Sequence, residues 1–327
     1  MAERPPRFDR ASDVREARFR AMGSDAHFIV VSADADLLVA AVARIDELEQ
    51  RWSRFIATSE ISELNRRAGE AVDVSPDTLL LVQRAVDAFR LTGGGFDPTV
   101  LGAVIRAGYD RSFDELEPTV RPGTSALGRG CTDIVVSDST VTLPAGVGFD
   151  AGGIGKGLAA DIVVAEVVAA GADGVCINLG GDLRVSGRAP DGADWTVAIE
   201  HQLAAEPIVL VALRDGAVAT STTLRRRWKI DGRERHHLID PWTGEPSESD
   251  LTLVSVVAGE AWTAEVLAKA ELLRGSTRVF DLVGGTGAEA IAVTVSGNLL
   301  ATDGFRKFVG ATGVPAQIEL LDVEGPS

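Results

Sequence analysis

The stretch Phe149-Asp150-Ala151-Gly152-Gly153-Ile154-Gly155-Lys156-Gly157 reads as the end of a short apolar strand, Val147 to Phe149, running through a glycine turn into a helix. Leu158, Ile162, Val163 and Val167 follow at helical spacing and give that helix a buried side. Glycines let the backbone approach a ligand with its N–H groups uncovered, and a helix start adds partial positive charge. Together they predict a cradle for a diphosphate. The same residues would equally serve a tight strand-to-helix turn that holds nothing. The pattern is not a Walker loop, because Gly157 follows Lys156 where Ser or Thr belongs, and it is not a dinucleotide fingerprint.

On the N-terminal side, residues 1–18 are rich in Pro, Arg and Asp without periodicity and predict a mobile arm. His27 to Val31 reads as a strand, and Leu37, Leu38, Ala41, Val42, Ile45, Leu48 and Trp52 as one face of a long helix. A polar loop through Phe55 leads to a short helix ending at Asn65. Ser75 and Pro76 then start a helix that runs to Leu91 and stops at Thr92-Gly93-Gly94-Gly95, releasing Phe96-Asp97-Pro98-Thr99. Residues 110–130 form a polar connection, and 131–149 read as short strands. On the C-terminal side, Val175 to Leu179 is a buried strand that turns at Gly180-Gly181-Asp182. A meander follows over Trp195–Glu200, Pro207–Leu213 and Ala217–Thr220. Arg225 to Arg227 reads as a solvated strand end, and His236-His237 precedes an Asp-Pro-x-Thr-Gly turn. Leu251 to Val257 is a strand, and Trp262 to Leu273 a helix that sets Glu265 and Lys269 one turn apart, as a surface ion pair would be.

The chain has 327 residues, nearly half of them apolar, which is enough to bury a sizeable core. Its 48 acidic and 32 basic residues leave a net charge of -16, which repels nucleic acid and anionic lipid. Cys131 and Cys176 have neither zinc nor disulfide spacing. No apolar run could span a bilayer and the N-terminus is charged, so the expectation is a cytoplasmic protein with no membrane insertion.

Taken in order, the motifs Met22-Gly23-Ser24, Ser59-x-Ile61-x-x-Leu64-Asn65, Gly95-Phe96-Asp97-Pro98-Thr99, Asp150-x-Gly-Gly-Ile-Gly-Lys-Gly, Asn178-x-Gly-Gly-Asp182, Ala219-Thr220-Ser221 and His237-x-x-Asp-Pro-x-Thr-Gly244 resemble the FAD:protein FMN transferase (ApbE-like) family. Each is weak alone, and their shared order carries the resemblance. It implies an α+β fold of mixed or antiparallel sheets with packed helices, as one two-lobed domain over residues 19–318. FAD would lie in a cleft between the halves, and residues 319–327 would be a loose tail. The implied activity moves FMN from FAD to a Thr or Ser hydroxyl of an acceptor flavoprotein and releases AMP. Position by position, Met22, Phe55, Gly95, Phe96, Asp97, Asp150, Lys156 and Leu238 fall where family members contact FAD, and His237 where the family places a general base.

The family pattern also implies Mg²⁺ held by a backbone carbonyl, here Gly153, and by an aspartate and a threonine on the late helix. This chain has Glu265 and Lys269 there. Glutamate remains an oxygen ligand, whereas a protonated lysine repels a cation. Lys269 would then either swing away or act in catalysis by supplying its own ammonium charge. An FAD carrier or regulator without transferase activity is the alternative that this departure leaves open.

Overall fold

The computed structural model of the chain describes residues 7–11, 13–111, 113, 130–230, 232–309 and 317–322. Ten of its strands build one sheet in the order Arg7–Ala11, Val14–Ala21, Ser24–Val31, Gly174–Leu179, Asp182–Gly187, Gly216–Thr222, Leu251–Ala258, Glu289–Thr294, Leu299–Thr302, Ile318–Leu321, and the other described strands form smaller sheets of two or three. Every neighbouring pair is antiparallel except the last, which is parallel. The helices are α1 (Asp36–Trp52), α2 (Glu60–Arg66), α3 (Pro76–Leu91), α4 (Leu101–Arg106), α5 (Gly155–Ala169) and α6 (Ala261–Arg274). Ser59 and Ser75 cap α2 and α3 by accepting the N–H of Ser62 at 3.0 Å and of Thr78 at 3.3 Å.

Both faces of the sheet are buried, so its central strands carry apolar residues at successive positions. In Gly174–Leu179, Val175, Ile177 and Leu179 enter the core shared with α1, α3, α5 and α6, while Cys176 enters a second core on the opposite face. That second core is closed by the antiparallel hairpin Trp195–Ile199/Val209–Leu213 and by Phe305. α5 lies over the strands 174–179 and 182–187, and α6 over 216–222 and 251–258. The glycine turn before α5 therefore faces the middle of α6. The fold is α+β with mostly antiparallel pairing.

Four expectations change. Val14–Ala21 is paired with Arg7–Ala11 on one side and along its whole length with Ser24–Val31 on the other, so the arm predicted through residue 18 belongs to the sheet from Arg7 among the described residues. Its inward positions include Ala17 and Ala21, which give little hydrophobic signal between Arg15, Glu16, Arg18 and Arg20. Ile318–Leu321 pairs with Leu299–Thr302, so the tail predicted to be loose from 319 is part of the sheet's edge up to Leu321. Of the predicted meander, only 216–222 joins the large sheet. Val147 to Phe149, predicted as a strand, joins no sheet. Residues 1–6, 323–327 and most of the polar connection at 110–130 lie outside the described residues.

α5 and α6 meet at Gly157, where an added Cβ would lie 2.5 Å from the Ala261 carbonyl oxygen and 2.7 Å from the Trp262 nitrogen. One turn later, the Asp161 carboxylate accepts the N–H groups of Ala261 at 2.8 Å and Trp262 at 2.9 Å. α6 has no side-chain cap of its own, so α5 satisfies its first donors. Gly157→Ala should therefore lower stability by about 1–3 kcal/mol through overpacking. Gly259→Ala, where an added Cβ meets nothing within 4 Å, should stay within about 0.5 kcal/mol of wild type. Urea unfolding of the two variants checks this, and coincident midpoints would refute the contact.

Candidate active site

Val147 to Phe149 has a side chain where a strand would have a neighbour. The Asn65 amide at the end of α2 donates to the Phe149 carbonyl at 2.9 Å and accepts the Phe149 N–H at 2.6 Å. On the other side, the Asp150 N–H donates to the Pro98 carbonyl at 2.8 Å. Held this way, the chain turns at Ala151, whose carbonyl accepts the N–H groups of Ile154 at 3.1 Å and Gly155 at 2.8 Å. Gly152, Gly153 and Gly155 are thereby left on the wall of a cavity of about 540 Å³. A space of that size is in the range of small-molecule sites. Of the site residues singled out in the sequence, all but Glu265 line it.

Lys156, one residue into α5, does not stand free for a ligand. Its ammonium donates to Glu265 Oε1 at 2.9 Å and forms a short ion pair with Asp182, while Glu265 Oε2 accepts the Gly157 N–H at 2.8 Å. Asp182 leaves the Gly180-Gly181 turn, whose φ angles of 67° and 103° suit a two-residue hairpin and whose Gly181 N–H is held by Asn178 Oδ1 at 2.9 Å. Asp182 and Glu265 are 4% and 3% exposed. Burial raises the Asp182 carboxyl and Lys156 pulls it back. Burial also opposes the charge on Lys156, but the two carboxylates win and hold its pKa above the ordinary lysine value. Glu265 therefore pairs with Lys156 inside the protein and not with Lys269 on its surface.

Lys269 lies beside the turn. A Cβ added at Gly153 would collide with the Lys269 ammonium and lie 2.8 Å from the Phe96 ring edge. The ammonium is 6.0 Å from the centre of that ring. Burial, opposed by Glu265, holds the Lys269 pKa below the ordinary lysine value. Phe96 and Asp97 are buried, and Asp97 Oδ1 accepts from the N–H of Thr99 at 2.8 Å and from its hydroxyl at 2.5 Å. Gly95, where an added Cβ would lie 3.4 Å from Ala270, sets that segment against α6. Met22 adopts φ 49° and donates its N–H to Glu49 at 2.7 Å.

The two histidines separate cleanly. His236 is buried, with Nε2 3.0 Å from the Ser247 carbonyl and Nδ1 accepting the Leu238 N–H at 3.3 Å, so both nitrogens serve the fold. His237 faces the cavity, and its Nδ1 is buried without a hydrogen-bond partner. Burial first, then the Arg226 charge, hold its pKa well below 6.5, so the imidazole is neutral at pH 7.

The sequence reading missed part of the wall. The Arg54 guanidinium lies 4.2 Å from the Phe55 ring centre and 4.9 Å from that of Tyr109, donates to the Tyr109 carbonyl at 2.8 Å, and stands 3.6 Å from Asp150. Arg226, read as a solvated strand end, has φ 50°, reaches the Gly23 carbonyl at 3.3 Å and lines the cavity. The signal for Arg54 was its position beside Phe55; Arg226 sits in an arginine run with no marker of its own.

The sequence model of the ApbE family matches residues 22–292. The FAD:protein FMN transferase of Vibrio cholerae is 28% identical over 294 residues, covering 86% of this chain and 85% of that protein. The FAD:protein FMN transferase of Treponema pallidum is 32% identical over 237 residues, covering 66% of this chain and 65% of its own. Among solved structures, the ApbE protein of Thermotoga maritima superposes with a TM-score of 0.81 at 25% identity, over 93% of this chain and 99% of its own. The flavin transferase ApbE of Vibrio cholerae gives 0.77 at 23% identity, over 93% and 100%. The glycine turn, the Gly-Gly-Asp182 hairpin and the His237 segment all fall inside the matched span, and the chain belongs to the ApbE family.

Proposed function

We propose that this chain is a cytoplasmic FAD:protein FMN transferase that moves the FMN half of FAD onto a Thr or Ser hydroxyl of an acceptor flavoprotein. The observation that carries this reading is the convergence, on one cavity, of the glycine turn at the start of α5, the Lys269 ammonium and the neutral His237 imidazole. In the reaction, the acceptor oxygen bonds to the phosphorus of the FMN half. The bond from that phosphorus to the bridging oxygen breaks, and AMP leaves with its electron pair. His237 takes the hydroxyl proton. The glycine turn and the Lys269 ammonium beside it hold the phosphates, where charge builds as the bond to the leaving oxygen lengthens. Phe55 and Phe96 offer apolar faces to the flat rings, with Met22, Gly95, Asp97, Asp150 and Leu238 completing the FAD wall. Among the described residues no helix is long and apolar enough to cross a membrane.

The altered pair Glu265 and Lys269 favours one other reading, a protein that binds FAD without transferring it. Release of AMP from FAD in the presence of an acceptor separates the two.

His237→Ala should lower the transfer rate by roughly 10²- to 10⁴-fold while leaving FAD affinity nearly unchanged. Because the free protein holds His237 neutral well below pH 6.5, kcat/KM should not fall as pH drops from 8 through 6.5. The unfolded chain does bind that proton, so the His237 contribution to stability is present above pH 6.5 and is lost as pH falls below it. Mass shift of the acceptor across pH reads the rate, and an acid limb centred near 6.5 would remove His237 from the base role.

Lys156→Met should act first on the fold. It leaves Asp182 and Glu265 buried without their cation, a change worth about 3–5 kcal/mol. Calorimetric melting should show the loss with no flavin present, and a melt matching wild type would refute the buried cluster.

A further inference from the structure

The family pattern assigns a divalent cation to Gly153 and to the α6 side chains at positions 265 and 269, and the residues present do not fit one. Mg²⁺ takes close to six oxygen ligands at about 2.0–2.1 Å. Glu265, which would be the carboxylate ligand, does not line the cavity, and both its oxygens are engaged, one by Lys156 and one by the Gly157 N–H. Among the described residues no three His, Cys, Asp or Glu side chains come together as a metal site. Lys269 already stands against Gly153, and it brings a charge of the same sign as the metal.

We propose that the Lys269 ammonium is the built-in cation of this site, doing at the glycine turn what a divalent metal would do, so that FAD is bound there without metal. The proposal rests on the FAD reading above and adds which cation meets the phosphates. Lys269 forms no hydrogen bond or ion pair with a described residue, although three carboxylates lie near enough to be felt by it. Each of them is already engaged: Asp182 and Glu265 by Lys156, and Asp150 by the Gly152 N–H at 2.9 Å and by Arg54. A half-buried ammonium that opens onto the cavity with no hydrogen-bond acceptor among the described residues still has N–H donors to place, and a phosphate oxygen accepts from them. Lys156 cannot take that place, because its charge is consumed by two buried carboxylates.

The test is FAD titration, followed by flavin fluorescence, of wild type, Lys269→Met and Lys269→Arg, each with excess chelator and with excess magnesium. Wild type should bind FAD equally in both, within about twofold. Lys269→Met, which keeps the stem and loses the charge, should bind about 10-fold or more weakly, and Lys269→Arg should recover most of that loss. Wild-type affinity that rises tenfold or more with magnesium, or Lys269→Met binding like wild type, overturns the proposal. The wild-type arm needs no variant to fold.

AMP release measured on the same wild-type samples with acceptor present keeps the two readings apart. Metal-independent, Lys269-dependent binding without AMP refutes the transferase and supports the built-in cation. AMP release accompanied by metal-dependent binding does the opposite. No FAD binding under either condition refutes both.

Discussion

The buried ion cluster of Lys156, Asp182 and Glu265 is the constraint to which the rest of the site is referred. It ties the first turn of α5 to a hairpin turn of the sheet and to the middle of α6. None of these charges is stable there alone, since moving a single ion out of water costs several kcal/mol even after relaxation. Two carboxylates around one ammonium also leave a net negative charge, which the Gly157 N–H and the nearby Lys269 partly offset. The cluster therefore sets geometry more than it adds stability. It fixes where the helix begins, and so where the glycine turn presents its backbone.

Much of this was legible in the chain itself. The spacing of Leu37, Leu38, Ala41, Ile45 and Leu48 gave α1, and Ser75-Pro76 gave the start of α3, because capping and amphipathic burial are local properties. The glycine pairs were legible for the same reason: φ values of 67° and 103° at Gly180 and Gly181 favour that residue type, and a Cβ added at Gly180 would lie 2.7 Å from that of Ser24. The motif order carried the family, and the residues it pointed to do surround one cavity.

What escaped was decided by partners distant in sequence. Lys156 reads as a ligand-facing cation until the fold brings Asp182 and Glu265 to it, and Glu265 reads as a partner of Lys269 until that happens. Val147 to Phe149 has the composition of a strand, yet the Phe149 N–H and carbonyl bond to the Asn65 side chain and the Val147 N–H to the Pro144 carbonyl. Val14–Ala21 escaped for the converse reason. Its backbone pairing is complete, but small alanines on its inward face give little periodic signal.

The strand order also has a consequence for how the chain comes off the ribosome. Val14–Ala21 and Ser24–Val31 are adjacent in sequence and can pair as soon as both are synthesised, but the next strand inward, Gly174–Leu179, arrives only after on the order of 150 further residues. At usual elongation rates that gap lasts roughly 7 to 30 s. Through that interval the inner edge of Ser24–Val31, with Phe28 and Val30 bound for the core, remains an open template for pairing. The hairpin of Val14–Ala21 and Ser24–Val31, made early, is thus the one that must wait longest for its inward neighbour, which makes translation speed between residues 31 and 174 a determinant of how much chain reaches the native sheet.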